Sequence, residues 1–189
     1  MVLVPVKSFA SAKARLAPTF DLAARSDLAK TMAARVIEAA GPLPVAVVCD
    51  DPQVAGWARQ RGAMVLPEPG AGLNGAVQSG VARLSQLGVE EVLVVHADLP
   101  LAAGLAGLAG FPGITLVPDR RGEGTNVIGL PAKSMFRFSY GAGSFARHCD
   151  EARRLGGALR VLHEPALAWD VDIPDDLPSG RLPEPARRP

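Results

Sequence analysis

The feature that most constrains this chain is a recurring order: a short apolar run rich in β-formers, a polar break, then a stretch with helical spacing. That alternation specifies an α/β fold with a mostly parallel sheet, because each crossover carries the chain back over a sheet face. Val2 to Val6 reads as the first strand, with Pro5 near its end because proline cannot donate to a central ladder. Leu28, Met32 and Val36 recur at helical spacing and mark the buried face of a helix that starts near Asp21 or Ser26 and stops at Gly41. Val45 to Val48, Met64 to Leu66, Val92 to Val95, Ile114 to Val117 and Val127 to Leu130 follow as strands. Asp51-Pro52 supplies a cap and a first helical residue for a helix closed by Gly62. Gly70, Gly72 and Gly75 surround Leu73-Asn74, so a loop there can approach a ligand closely before a helix runs towards Leu87-Gly88. Ser144 to Leu155 reads as helical and Leu159 to Leu162 as extended.

A length of 189 residues, nearly half of them apolar, matches one domain, expected over residues 1–177, with a proline- and arginine-rich tail at 178–189 expected to be disordered. The net charge of +1 and the lack of a basic stripe argue for a small charged substrate rather than a nucleic acid. Cys49 and Cys149 are far apart and lack metal-ligand spacing, which predicts free thiols. The first residues are too short for a secretion signal, and no apolar stretch reaches the ~18 residues of a membrane span, so a soluble cytoplasmic protein is expected. Abundant Ala, Arg, Gly and Pro suggest a GC-rich genome.

Four motifs carry the chemistry. Val4-Pro5-Val6-Lys7-Ser8 leads into a loop that also holds Lys13 and Arg15, cations able to wrap a polyphosphate. The loop has neither the Walker pattern nor Gly-x-Gly-x-x-Gly, which disfavours an ordinary P-loop NTPase or a dinucleotide-binding dehydrogenase. Asp98-Leu99-Pro100 places a carboxylate at a strand end, where it either reaches a metal-bound ligand or caps a helix after Pro100. Asp170 and Asp172, two apart in an extended segment, project to one side, and with Asp98 they could surround one or two Mg²⁺ ions. Asp175 and Asp176 are expected to cap a short turn before Leu177. Gly124-Thr125-Asn126 and Tyr140-Gly141-Ala142-Gly143-Ser144 either form structural turns or offer backbone N–H groups and hydroxyls to a second, phosphorylated substrate. His148 lies one turn beyond Ser144 and could face that pocket; His163 is expected to be structural or exposed, and Trp57 and Trp169 to be packing residues.

Val4-Pro5-Val6-Lys7-Ser8-Phe9, Lys13-x-Arg15-Leu16, Gly72-Leu73-Asn74, Asp98-Leu99-Pro100, Gly124-Thr125-Asn126, Gly141-x-Gly143-Ser144-Phe145-x-x-His148 and Asp170-Val171-Asp172 together resemble the 2-phospho-L-lactate and phosphoenolpyruvate guanylyltransferases of coenzyme F420 biosynthesis. The resemblance runs to about Leu177 and implies a GT-A-like, Rossmann-related nucleotidyltransferase. Such an enzyme joins GTP to a three-carbon phosphate acid, releases pyrophosphate and passes a labile product to a downstream deazaflavin transferase. The resemblance implies Mg²⁺ on Asp98, Asp170 and Asp172, and acceptor binding by Thr125, Gly141 and Ser144 with Asn126 and His148 beside them. Pro5, Val6, Ser8, Leu73 and Asn74 would contact the nucleotide, and Lys7, Lys13 and Arg15 would neutralise its phosphates. The alternatives are another GT-A-like nucleotidyltransferase, acting on molybdopterin or a sugar phosphate, and a non-catalytic nucleotide-binding regulator. The first of these typically opens on a glycine-rich loop, where this chain has proline and lysines. Intact carboxylates at all three metal positions count against the second.

Overall fold

The computed structural model describes residues 1–68, 70 and 72–177, so the expected tail at 178–189 lies outside the described residues. Strands β1 (Val2–Pro5), β2 (Val45–Cys49), β3 (Met64–Pro67), β4 (Glu91–Val95), β5 (Ile114–Pro118), β6 (Thr125–Pro131) and β7 (Leu159–Val161) form one sheet in the order β3-β2-β1-β4-β6-β5-β7. All run in one direction except β6, which is antiparallel to both β4 and β5. That reversal matters for function: Val95 at the end of β4 pairs with Val127, so the start of β6 meets the C-terminal edge of the parallel strands. Ligands of open α/β sheets bind at that edge.

The first strand shows why its residues read as an unbroken apolar run. β1 pairs with β2 on one side and β4 on the other, and its residues alternate between two cores. Val2 and Val4 join a core with Val36, Val54 and Leu99, while Leu3 joins one with Val77, Val81 and Leu84. Helices α1 (Leu22–Ala39) and α2 (Pro52–Gln60) supply the first core, and α3 (Gly72–Gln86) and α4 (Ser144–Arg154) the second. Asp21 caps α1, its carboxylate accepting from the Ala24 N–H at 2.8 Å. Asp51 caps α2 by accepting from the N–H groups of Gln53 and Val54, with Pro52 opening the helix. A short helix, α5 (Pro165–Ala168), precedes the Asp170 segment. Gly129 is the one residue that fits the middle of β6: a Cβ there would lie 2.8 Å from Leu93 and 3.3 Å from Thr115 on the two flanking strands.

Three expectations change. Leu73 and Asn74 lie in the first turn of α3, which already begins at Gly72, rather than in a loop. No α-helix follows Pro100; the segment forms a 3-10 turn over Leu105–Leu108, entered through Gly104 at φ 68°, and Leu99, Leu105 and Leu108 are buried. Glycines at 104, 107 and 110 make a longer helix costly there. Between Lys7 and Thr19 the expected open loop is folded into two 3-10 turns that bury Phe9 and Leu16. Among the described residues no helix is long and apolar enough to cross a membrane.

Candidate active site

A cavity of about 780 Å³ opens at the C-terminal edge of the parallel strands. Segments remote in sequence deliver its chemistry. The end of β1 brings Pro5, Val6 and Lys7; the segment after β4 brings His96 and Asp98. Reversed β6 brings Thr125 and Asn126 by its first residues, and the start of α4 brings Ser144 behind Gly141 and Gly143. Asp170 and Asp172 also line the cavity, from the extended stretch after α5, and the Val171 N–H donates to the Asp98 carbonyl at 3.3 Å. That backbone contact joins the Asp170–Asp172 stretch to the Asp98 segment although the two are 72 positions apart.

Lys13 stands among them. Its ammonium is 2.7 Å from Asp98 Oδ2 and 3.2 Å from Asp172 Oδ1, with its side chain only 11% exposed. Burial alone would lower its pKa, but Asp98 and Asp172 outweigh that and hold it above the usual lysine value. Lys13 is also the only non-glycine residue with positive φ (53°) among the described residues, a local strain kept by the contacts at its tip. Arg15 lies 3.7 Å from Asp172 and is largely exposed, and Lys7 is exposed at the cavity wall.

The carboxylates carry unmet demand. Asp98 Oδ1 and Asp170 Oδ1 are buried without a hydrogen-bond partner. Burial raises Asp98, yet Lys13 and His96 bring its pKa below the ordinary carboxylate value. For Asp170, burial first, and then the Asp98 charge, push its pKa up to about 6. Hard oxygens with lone pairs to spare are the donor type a Mg²⁺ ion takes, so the donor chemistry of Asp98 and Asp170 suits the metal. Among the described residues no three metal-binding side chains already converge as a preformed cage, and the Lys13 ammonium sits between Asp98 and Asp172.

A second set of lining groups are donors. Gly141 (φ 118°) and Gly143 (φ 69°) turn the chain so that α4 begins at Ser144 with its N-terminus at the cavity, an arrangement that favours anions. Thr125 lines the wall, and its buried hydroxyl lies 3.0 Å from His148 Nδ1. His148 itself is fully buried behind Thr125 and does not line the cavity, contrary to the expectation that it faces substrate. Burial, with Arg147 and His96 nearby, pushes its pKa down to about 4. Asn126 lines the wall but commits its side-chain amide to the Leu167 carbonyl.

Two residues expected at the nucleotide point elsewhere. Asn74 does not line the cavity; its side chain donates to the Tyr140 carbonyl at 3.4 Å and accepts from the Tyr140 N–H at 2.7 Å, fastening the 140–143 turn to α3. Ser8 is outside the lining too, and its side chain helps hold the Asp51 carboxyl below the usual value. Leu73 does line it. Trp57 packs edge-on against Phe9, and Trp169 lies under Arg120, so neither is a stacking platform in the cavity. His163 is exposed.

Sequence reasoning missed several wall residues. Asp119 follows β5 as Asp98 follows β4, a signal that was available, but its carboxylate is taken by the N–H groups of Arg121, Glu123 and Gly124. Arg121 lines the cavity while pairing with Asp176 at 2.7 Å. Asp176 caps its turn as expected, and more: fully buried, it accepts from the N–H groups of Asp172 and Ile173 and binds both Arg120 and Arg121. Tyr140 and His96 also face the cavity, their rings 4.7 Å apart, and neither Tyr140 Oη nor His96 Nε2 has a partner.

The family model described as "Guanylyl transferase CofC like" matches residues 1–180. A phosphoenolpyruvate guanylyltransferase of Rubrobacter xylanophilus is 39% identical, over 93% of this chain and 90% of its own. The enzyme of the same name from Mycolicibacterium smegmatis is 34% identical, over 95% of this chain and 84% of its own. Among solved structures, a putative nucleotide-diphospho-sugar transferase from Desulfovibrio desulfuricans superposes with a TM-score of 0.73 at 15% identity, covering 91% of this chain and 81% of that one. CMP:2-keto-3-deoxy-manno-octonic acid synthetase superposes with a TM-score of 0.59 at 12% identity, covering 93% of each chain. These likenesses establish a nucleotidyltransferase fold.

Proposed function

The chain belongs to the CofC-like guanylyl transferases, and from that premise we infer that it condenses GTP with phosphoenolpyruvate and releases pyrophosphate, a step of coenzyme F420 biosynthesis. The observation that carries the reading is that one cavity is lined both by carboxylates and by groups that receive an anion. Asp98 and Asp170 each keep a buried oxygen free, while Thr125, Ser144 and the start of α4 offer donors.

The acceptor's phosphate oxygen attacks the α-phosphorus of GTP. A new O–P bond forms, the bond from the α-phosphorus to its bridging oxygen breaks, and the electron pair leaves on pyrophosphate. A phosphate monoester with a second pKa near ~6 is already largely dianionic at neutral pH, so the nucleophile needs no general base. The histidines agree with that: burial keeps both His96 and His148 from taking up a proton near neutrality. Mg²⁺, held by Asp98, Asp170 and Asp172 when bound, supplies neutralisation of the triphosphate and of charge developing on the leaving group. Lys7, Lys13 and Arg15 add cationic charge along the same wall. Thr125, Gly141 and Ser144 receive the acceptor's phosphate and carboxylate, and Pro5, Val6 and Leu73 bound the nucleotide. Guanine selectivity and transfer of the labile product to a deazaflavin transferase follow from the family reading, as does a cytoplasmic setting.

Purified protein incubated with GTP, Mg²⁺ and either phosphoenolpyruvate, 2-phospho-L-lactate or 3-phosphoglycerate should release pyrophosphate with phosphoenolpyruvate. Asp98→Asn should lower kcat by about 10²-fold or more at unchanged far-ultraviolet circular dichroism. Turnover with 2-phospho-L-lactate alone would replace the acceptor. GTP bound but left intact with every acceptor would overturn the enzyme assignment.

A further inference from the structure

We propose that His148 is a positioning residue that sets the direction of the Thr125 hydroxyl, making that hydroxyl an obligate hydrogen-bond donor to the acceptor's anionic group. The proposal rests on the reading of Thr125 as an acceptor contact and extends it to a residue that never touches substrate. Two distances carry it. The Ser139 backbone N–H lies 3.0 Å from His148 Nε2, and an N–H can only donate, so Nε2 holds its lone pair. A neutral imidazole then carries its proton on Nδ1, which lies 3.0 Å from Thr125 Oγ1. Nδ1–H therefore donates and Oγ1 accepts. The threonine proton is left pointing away from the imidazole, and Thr125 is one of the residues that line the cavity.

The ring has little freedom to do otherwise. It is fully buried, with the Phe136 and Tyr140 rings 5.7 and 5.0 Å away, and Arg147 clamps the same strap by donating to the Ser139 carbonyl at 2.7 Å. Asn74 holds the next residue, Tyr140, by its backbone N–H and carbonyl. A rotatable hydroxyl, normally either donor or acceptor, thus becomes a one-way contact for an anion. A hydroxyl already committed as donor loses less freedom on binding a phosphate or carboxylate oxygen.

The test separates the two amide positions of an imidazole. Gln at 148 places its amide near Nε2 and abandons Thr125, whereas Asn places its amide near Nδ1 and keeps a donor there. His148→Gln should raise KM for the three-carbon acceptor by about tenfold or more, with KM for GTP unmoved. His148→Asn should recover most of the loss. Thr125→Val should match His148→Gln, and the double variant should be no worse than Thr125→Val alone. An acceptor KM that rises in Thr125→Val but not in His148→Gln overturns the relay and leaves the acceptor site standing. An acceptor KM unchanged in Thr125→Val removes Thr125 from the acceptor site and the proposal with it. Should His148→Gln not fold, ¹⁵N NMR of the wild-type imidazole decides: a proton on Nδ1 and a bare Nε2 are expected, and a proton on Nε2 overturns the proposal.

Discussion

Asp170 is the residue whose charge the fold serves least well. Its folded-state pKa of about 6, raised by burial and by Asp98, exceeds that of an ordinary carboxylate, so between pH ~4 and ~6 the folded chain binds more protons than the unfolded one. The associated stability is fully present below about pH 4 and is lost as pH rises through 6. Asp170→Asn removes that loss. In the absence of GTP and metal the variant should melt about 2–4 °C above the parent at pH 7.5, and the difference should shrink towards pH 4 in paired thermal melts. A variant that melts lower at pH 7.5 would mean that the Asp170 charge is stabilised by a contact outside those described.

At the scale of elements, the stretch from Trp169 to Ile173 has no helix or strand of its own before the 3-10 turn at Pro174–Asp176, and one buried carboxylate ties it down. Asp176 accepts from the Asp172 N–H at 2.8 Å and the Ile173 N–H at 2.9 Å, binds Arg120 and Arg121, and lends its carbonyl to the Trp169 indole at 2.7 Å. Removing the carboxylate strands two backbone donors and two guanidiniums. The arginines keep partial access to water, so Asp176→Ala should cost about 2–4 kcal/mol, read as a fall in Tm of roughly 5–15 °C. Asp172 rides on this stretch, so pyrophosphate release should fall as well. Asp176→Asn keeps an acceptor oxygen for the backbone and should recover part of the stability.

At the scale of the whole molecule, the cavity is assembled from segments remote in sequence: Lys13 meets Asp98 and Asp172, 85 and 159 positions away. A ligand spanning them acts on the whole fold. GTP with Mg²⁺ at about a hundred times its Kd should stabilise the protein by about 2.7 kcal/mol, seen as a raised melting temperature that chelation removes and that ATP at the same concentration does not match. An equal shift with ATP would argue against guanine selectivity.

What the sequence by itself determined is what depends on neighbours along the chain. Short apolar runs marked the strands and helical spacing marked α1; Asp21 or Ser26 and Asp51-Pro52 marked helix starts; and Asp98, Asp170, Asp172 and the Lys13 loop stood out because carboxylates and cations are the groups that hold a metal-bound polyphosphate. The tertiary structure decided which of those groups face one another. The direction of β6, the pairing of Lys13 with two carboxylates, the clamp of Asp176, and the withdrawal of Asn74 and His148 from the cavity all depend on distant contacts. Local periodicity specifies which face of an element is buried, whereas a hydrogen bond to a residue 66 or 159 positions away exists only once the sheet order has brought the two together.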